Sequence, residues 1–328
     1  MSPSLETITA IDANLIFVRH WPVPQSQLVQ SQLKGVIQLV HGIGEHSGRY
    51  QAAAEAWNQQ GYAVMIHDCR GHGETGRYAT SLGHIADQHG WFLMMSDTLQ
   101  INSLIRDKYP NTPITIVGHS TGALAVEKFL IEHPYHADAC VLSSPILPIP
   151  LLTKVIKPLL TLEKIRIGKR TPNRLAQKAL MRWLQLGIPE VRTDFDWLSH
   201  NPQAVDTYLS DEHCGFAPST QAWLDLIFGL EDLERLGGIA KLPKHIPYFI
   251  LNGADDPTNQ PRFGRTLEKK YTEARLTDVS FKTYPHARHE LLKERHRSAV
   301  FQDIENWLEN SLLQPTTALH SNFASNIA

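Results

Sequence analysis

The sequence has few cysteines, little net charge and no long apolar run, and each absence excludes a class of protein. Its 3 cysteines, Cys69, Cys140 and Cys214, are too few and too far apart for a disulfide framework or a C-x-x-C metal site. The formal net charge of -2 provides no general attraction for nucleic acid. The apolar runs are also too short to cross a membrane.

The first residues lack the features of a secretory signal. Residues 1–9 have neither a basic start nor an apolar core, so we expect a cytoplasmic protein with reduced, buried thiols. The 328 residues are 42% apolar, which is typical of a globular protein with a large core.

Strand-like and helix-like segments alternate over most of the chain. Apolar runs predict strands at 35–40, 62–68, 114–117, 139–143, 248–252 and 279–284, and helical patterns predict helices at 50–60, 91–109 and 122–131. Strands that are apolar throughout and separated by helices indicate an α/β protein with a mostly parallel sheet covered on both faces. Such sheets carry their chemistry beyond the carboxyl ends of the strands.

The alternation stops after Ser144. Residues 145–215 contain no convincing strand; they hold four early prolines, which argue against a long helix there, and a helical pattern at 175–186. We therefore predict a core formed by residues 1–144 and 216–313, an inserted helical cap at 145–215, and a disordered tail at 314–328.

The first half of the predicted cap is basic. An apolar stretch at 146–152 precedes a run of positive side chains in which Glu163 is the acidic residue: Lys154, Lys157, Lys164, Arg166, Lys169, Arg170, Arg174 and Lys178. This composition suits peripheral contact with an anionic membrane surface. An ordinary solvated helix face is the alternative, and the prolines favour it because they interrupt a long amphipathic helix.

The motif Gly118-His119-Ser120-Thr121-Gly122 lies between a predicted strand and a predicted helix. This context is typical of a nucleophile elbow, in which serine occupies a sharp, strained turn and small neighbours prevent steric clashes. A serine hydroxyl is a poor nucleophile, so Ser120 needs a histidine base and an acid that orients it.

Candidates for both partners follow the last two predicted strands. Asp255 and Asp256 follow strand 248–252, while His286 and His289 follow strand 279–284, in the order nucleophile, acid, base. We favour Asp256, since Asp255 suits a turn. We favour His289 because it lies deeper in its loop and begins a helix-like stretch, 289–297.

An oxyanion needs two aligned N–H donors. We predict the amides of Thr121, directly after the nucleophile, and of Ile43, in the glycine-containing loop after strand 35–40. A plain strand-to-helix turn is the alternative for that loop.

Two further patterns suggest other chemistry. Residues 71–76 spell G-x-G-x-x-G, but no helix is expected at 77–85 to receive a pyrophosphate. His41, Glu45 and His46 match no zinc-protease spacing. We therefore expect neither a cofactor nor a metal ion.

Taken in order, these motifs resemble the monoacylglycerol lipase and lysophospholipase branch of the α/β-hydrolase fold. The matching segments are 41–50, 68–73, 118–122 and the two later loops. The resemblance implies a Ser120-His289-Asp256 triad, oxyanion amides at Ile43 and Thr121, and a helical cap that admits acyl chains. Thr121 departs from the methionine usual in that family, which affects the neighbouring pocket rather than the amide.

The expected activity is serine carboxylic-ester hydrolysis of monoacylglycerol or lysophospholipid-like substrates through an acyl-enzyme. The alternatives are a carboxylesterase or thioesterase for small acyl substrates, a carbon-carbon hydrolase or haloperoxidase, and a hydrolase-fold binding protein without turnover. The residues specify neither acyl length, head group nor oligomeric state.

Overall fold

The structure is a computed structural model that describes residues 2–24, 33–146, 150–235, 237–259 and 267–312. The tail predicted at 314–328 lies outside the described residues.

A single mixed sheet organises the described part of the chain. Its strand order is β1-β2-β4-β3-β5-β6-β7-β8, and the strands are β1 Ser4–Thr9, β2 Leu15–Trp21, β3 Gly35–Val40, β4 Tyr62–His67, β5 Ile114–His119, β6 Ala139–Ser143, β7 Tyr248–Gly253 and β8 Val279–Tyr284. Strands β3 to β8 pair in parallel, whereas β1 and β2 are antiparallel. All six predicted strands are present, and the parallel α/β class is confirmed.

Helices connect the strands and cover both faces of the sheet. They are α1 Gln51–Gln59, α2 Gly73–Tyr78, α3 Gly90–Lys108, α4 Thr121–Glu132, α5 Pro150–Ile167, α6 Arg174–Leu184, α7 Pro202–Ser210, α8 Thr220–Arg235, α9 Leu267–Glu273 and α10 Arg297–Leu312. Short 3-10 turns occur at Ser47–Tyr50, Asp196–Leu198, Gly238–Lys241 and Leu291–Lys293.

Alternate residues of each central strand supply two cores. In β5, Ile116 packs with α3 and α4 on one face, while Val117 joins α1 and α10 on the other. The α10 side chains Val300 and Ile304 are fully buried in the second core. Burying an aliphatic side chain of this size stabilises the fold by about 1.5–3 kcal/mol. The two cores hold the strand ends, and hence the loops beyond them, in a fixed arrangement.

The segment between β6 and β7 is helical and contains α5 to α8. The expectation that its prolines prevent a long helix is wrong, because α5 runs for 18 residues with Pro158 inside it. Proline lacks the N–H that would bond four residues back, at a cost of about 3 kcal/mol. Packing of α5 against α8 and an ion pair between Lys157 and Glu231 (2.5 Å) oppose that cost.

One other local prediction is wrong, and a second is wrong in part. Residues 289–297 do not form one helix, since only the turn Leu291–Lys293 precedes α10, and the Glu290 N–H bonds to Leu198 instead. The expectation of no helix at 77–85 holds for residues 79–85 and is wrong for 77–78, which are the end of α2. None of the helices in the described ranges is both long and apolar enough to span a bilayer.

Candidate active site

Ser120 lies at the sharp turn between β5 and α4. Its backbone has φ 55° and ψ -121°, a strained conformation for a residue with a side chain. A Cβ on Gly122 would lie 2.2 Å from the Val40 carbonyl oxygen, and one on Gly118 would lie 2.6 Å from the Cα of Ala123. The glycines are therefore required for close packing, as expected for an elbow that presents Ser120.

The imidazole of His289 connects Ser120 to Asp256. Nε2 lies 2.8 Å from the Ser120 hydroxyl, and Nδ1 lies 2.9 Å from Oδ2 of Asp256. The second Asp256 oxygen accepts hydrogen bonds from the Thr258 amide (2.9 Å) and hydroxyl (2.8 Å). All three predicted side chains are buried and within hydrogen-bond reach, an arrangement in which a histidine can take a serine proton.

Electrostatics favour proton transfer to this histidine. Burial acts to lower the pKa of His289, but the charge and hydrogen bond of Asp256 raise it, and the net pKa lies above the ordinary histidine value. For Asp256, burial acts to raise the pKa, yet His289 and Thr258 lower it overall, so the carboxyl stays ionised. An ionised acid beside a base that readily accepts a proton is the combination needed to activate a serine.

The two competing candidates lie elsewhere. Asp255 bonds through Oδ2 to Nε2 of His200 at 2.9 Å rather than to His289. His286 is exposed and adopts a positive φ of 52° in the loop after β8. The structure thus brings together Ser120, Asp256 and His289, and leaves the other two apart.

The predicted oxyanion donors belong to residues beside Ser120. Ile43 and Thr121 line the same cavity as Ser120 and His289. Thr121 is the first residue of α4, so its N–H belongs to the turn that has no partner inside the helix. The neighbouring Gly42 N–H is held by the Glu45 carboxylate at 2.8 Å, which fixes the start of the loop.

Buried charges surround that loop in balanced pairs. Glu45 accepts hydrogen bonds from the Tyr50 hydroxyl (2.8 Å) and from Arg49 (3.1 Å), and Arg49 also forms a two-point ion pair with Glu290. Lys293 lies 3.8 Å from the centre of the Tyr50 ring and 4.0 Å from Glu45. Sequence reasoning missed this role of Glu45, because a single carboxylate in a glycine-containing loop looks like many others.

The cavity that opens from Ser120 has a volume of about 240 Å³ and a mainly apolar wall. Its side chains come largely from the helical segment between β6 and β7, and they include Met181, Leu184, Trp197, Trp223, Leu226 and Ile227. An apolar ligand next to a polar reacting group fits this surface.

The glycine motif 71–76 has a structural explanation. The Asp68 carboxylate accepts the N–H groups of Ser47 (2.7 Å) and Glu74 (2.9 Å), so it occupies the N-terminal end of α2. A Cβ on Gly73 would lie 2.4 Å from that carboxyl. A pyrophosphate would need the place that Asp68 already fills.

Two groups of side chains in the described ranges bring metal-ligating atoms within 4.8 Å of one another: His46, Asp211 and Cys214, and Glu45, His119 and Glu290. In the first group, His46 and Asp211 already bond to each other at 2.9 Å. In the second, Arg49 pairs with both carboxylates, and Lys293 adds a second positive charge 4.0 Å from Glu45. The expectation of no metal ion rests on the spacing of His41, Glu45 and His46 and stays a prediction.

The fold and the site together define an α/β-hydrolase. A family model matches residues 31–296, so the chain belongs to the Hydrolase_4 family, described as serine aminopeptidase, S33. The chain is 26% identical to a monoacylglycerol lipase of Mycolicibacterium smegmatis, over 85% of this chain and 89% of that protein. It is 28% identical to the human monoglyceride lipase, over 94% of this chain and 91% of that protein.

A solved structure supports the same fold. The thermostable carboxyl esterase from Bacillus coagulans, solved in complex with glycerol, superposes with a TM-score of 0.83 at 23% identity, covering 95% of this chain and 99% of that chain. The expected resemblance to monoacylglycerol lipases and the predicted class of carboxylic-ester hydrolase are confirmed by the family and its relatives.

Proposed function

We propose that this chain hydrolyses single-chain acyl esters, monoacylglycerols or lysophospholipids, with Ser120 as nucleophile, His289 as general base and Asp256 as the acid that orients it. The observation that supports the proposal is one buried imidazole hydrogen-bonded to both Ser120 and Asp256 at the mouth of an apolar cavity.

In the acylation step, His289 Nε2 removes the hydroxyl proton as Ser120 Oγ attacks the ester carbonyl. The N–H groups of Ile43 and Thr121 stabilise the oxyanion. The tetrahedral intermediate collapses, its bond to the alcohol breaks, and the proton on His289 passes to the leaving oxygen.

Deacylation repeats these steps with water in place of the alcohol. His289 takes a proton from water, the hydroxide adds to the acyl carbonyl, and Ser120 leaves with the proton from His289. Asp256 stays ionised throughout and stabilises the imidazolium that forms in each half-reaction.

The size and lining of the cavity support a lipid substrate with one chain. A cavity of about 240 Å³ favours one acyl chain over the several chains of a larger glyceride. We propose that α5, α6 and α7 form the predicted cap over this cavity, with boundaries at 145–215. A small-ester esterase or thioesterase would leave most of the apolar wall without contact.

Activity of the purified protein on a graded ester series tests this function. We expect kcat/KM to rise from acetyl to decanoyl esters, fluorophosphonate labelling at Ser120, and loss of both in Ser120→Ala. Ser210→Ala on the surface of α7 is the control and should behave as wild type. Retained esterase activity in Ser120→Ala would refute the assignment, and alanine p-nitroanilide turnover faster than ester turnover would favour a peptidase.

We also propose that the cap contacts a membrane surface while the acyl chain enters. The exposed face of α5 presents four apolar side chains at helical spacing, Val155, Leu159, Leu162 and Ile165, which are 56–78% exposed. Acidic residues outside the basic segment balance part of its charge, since Glu231 pairs with Lys157, and Asp87 with Arg170. Insertion of these apolar side chains therefore contributes more to membrane binding, relative to charge, than the sequence indicates.

Vesicle co-sedimentation tests the membrane contact. We expect tighter binding to anionic than to zwitterionic vesicles, a partial loss at high salt, and a clear loss in Leu159→Ser/Leu162→Ser. Ile11→Ser, a change of an equally exposed side chain on the β1–β2 turn, is the matched control. Equal binding of both variants and wild type would remove the proposal.

A further inference from the structure

A short segment of the inserted helical region is bonded directly to the loop that carries His289. We call residues 196–201 the clamp. The Leu198 carbonyl accepts the Glu290 N–H at 2.7 Å, and the Asp196 carbonyl accepts from Arg288 at 2.6 Å. These bonds hold the residues on both sides of His289.

The C-terminal end of the clamp makes three further hydrogen bonds. The His200 N–H donates to Glu294 at 2.8 Å, and the His200 ring bonds Asp255 at 2.9 Å. Asn201 donates to the Lys293 carbonyl at 3.3 Å. The clamp is therefore attached to the loops after both β7 and β8, which carry Asp256 and His289.

Trp197 occupies the centre of the clamp and faces the base. Its ring centre lies 5.0 Å from that of His289, and His119 lies at the same distance from His289. The Trp197 indole N–H donates to the Met181 sulfur at 3.2 Å, and both side chains line the cavity. The same tryptophan thus contacts the acyl site and the imidazole.

A ring contact of this kind matters for proton transfer. Its two hydrogen bonds fix the axis that joins Nε2 and Nδ1 of His289, but they leave the ring free to rotate about that axis. The neighbouring rings of Trp197 and His119, tilted by 44° and 51° against the imidazole, restrict this rotation. During turnover His289 must deliver its proton to a leaving oxygen, and displacement of a catalytic group by about 1 Å costs on the order of 100-fold in rate.

We propose that the clamp, through Trp197, is a positioning element for His289, so that one wall of the acyl site also fixes the base. This inference rests on the proposed function. It predicts that loss of the indole lowers turnover of every ester, including acetyl esters whose chain is too short to fill the cavity.

The test compares p-nitrophenyl acetate and decanoate. Trp197→Leu should lower kcat by roughly 10- to 100-fold on both esters, with KM for acetate changed less than about twofold. Trp197→Phe keeps an aromatic ring and should recover most of the rate. Trp223→Leu, which alters the same cavity, should instead cause a loss that grows with acyl length.

A second variant approaches the clamp from outside the cavity. Arg288→Met removes the bonds to the Asp196 and Ser199 carbonyls and should also lower kcat on acetate, without a chain-length dependence. It keeps the test decisive if Trp197→Leu does not fold.

Fluorophosphonate labelling distinguishes a failure of the proposed function from a failure of the clamp proposal. If wild type does not label at Ser120, the proposed function fails. If wild type labels while the Trp197 and Arg288 variants label and turn over acetate at the wild-type rate, only the clamp proposal is overturned.

Discussion

Asp255 and Asp256 are adjacent in the chain, yet their carboxylates bond two different histidines. Asp256 faces the buried His289, and Asp255 faces the half-buried His200 of the clamp, each at 2.9 Å. One strand-end loop therefore contacts both His289 and the clamp.

Substitution of Asp256 should remove most of the activity. In Asp256→Asn the amide neither fixes the imidazole tautomer nor stabilises its cation, so we expect kcat to fall by on the order of 10⁴-fold. Steady-state hydrolysis of a short p-nitrophenyl ester measures the effect. Asp255→Asn is the matched control and should lose far less; the reverse ranking would make Asp255 the triad acid.

The pH dependence of kcat/KM should follow the protonation of His289. Only the neutral imidazole accepts the Ser120 proton, and its pKa lies above the ordinary value because Asp256 outweighs burial. We expect kcat/KM to fall as the pH drops through that raised pKa. In Asp256→Asn burial acts without the carboxylate, so the acid limb of the remaining activity should move to lower pH. An unchanged limb would mean that another group controls it.

Arg49 should be important for stability. Arg49→Met removes the cation that is hydrogen-bonded to both buried carboxylates, Glu45 and Glu290, and leaves Lys293 as the nearby positive charge. Breaking such a buried pair costs about 3–5 kcal/mol. Urea unfolding measures the change. Arg166→Met removes an exposed ion pair with Glu163 and should leave the midpoint unaltered. Equal effects of the two changes would contradict a structural role for the buried pair.

The elbow should not tolerate a side chain at position 122. In Gly122→Ala the new Cβ meets the Val40 carbonyl oxygen at 2.2 Å, so we expect destabilisation by about 1–3 kcal/mol and slower labelling of Ser120. Gly238→Ala has open space around its Cβ and a positive φ of 60°, so it measures backbone strain alone. If Gly122→Ala and Gly238→Ala lose stability and labelling to a similar extent, crowding at the elbow is unimportant.

The central strands could be predicted because a covered parallel sheet needs apolar residues on both faces. Strand β1 and its partner β2 were missed, since the exposed edge strand β1 mixes Glu6 and threonines with its apolar residues. The short helix α2 was missed, and α5 lies in the predicted helical segment but is longer than its prolines indicated, because packing outweighs the local signals of glycine and Pro158.

The positions of Ser120, Asp256 and His289 followed from motif order and strand ends, and the structure brings them together; their catalytic roles stay predictions for the experiments above. The clamp had no comparable signal. Most of its bonds use backbone groups, the carbonyls of Asp196, Leu198 and Ser199 and the N–H of His200, and backbone groups of this kind carry no sequence signal. Contacts of that kind appear only when the chain is folded.

The attachment of residues 196–201 to both late loops has a consequence for engineering. Lid exchange between related hydrolases is an attractive route to new selectivity, but here the exchanged segment would include residues that bond to the loops of Asp256 and His289. A chimera that retains the native residues from Asp196 to Asn201 and varies only the flanking helices would separate substrate choice from turnover.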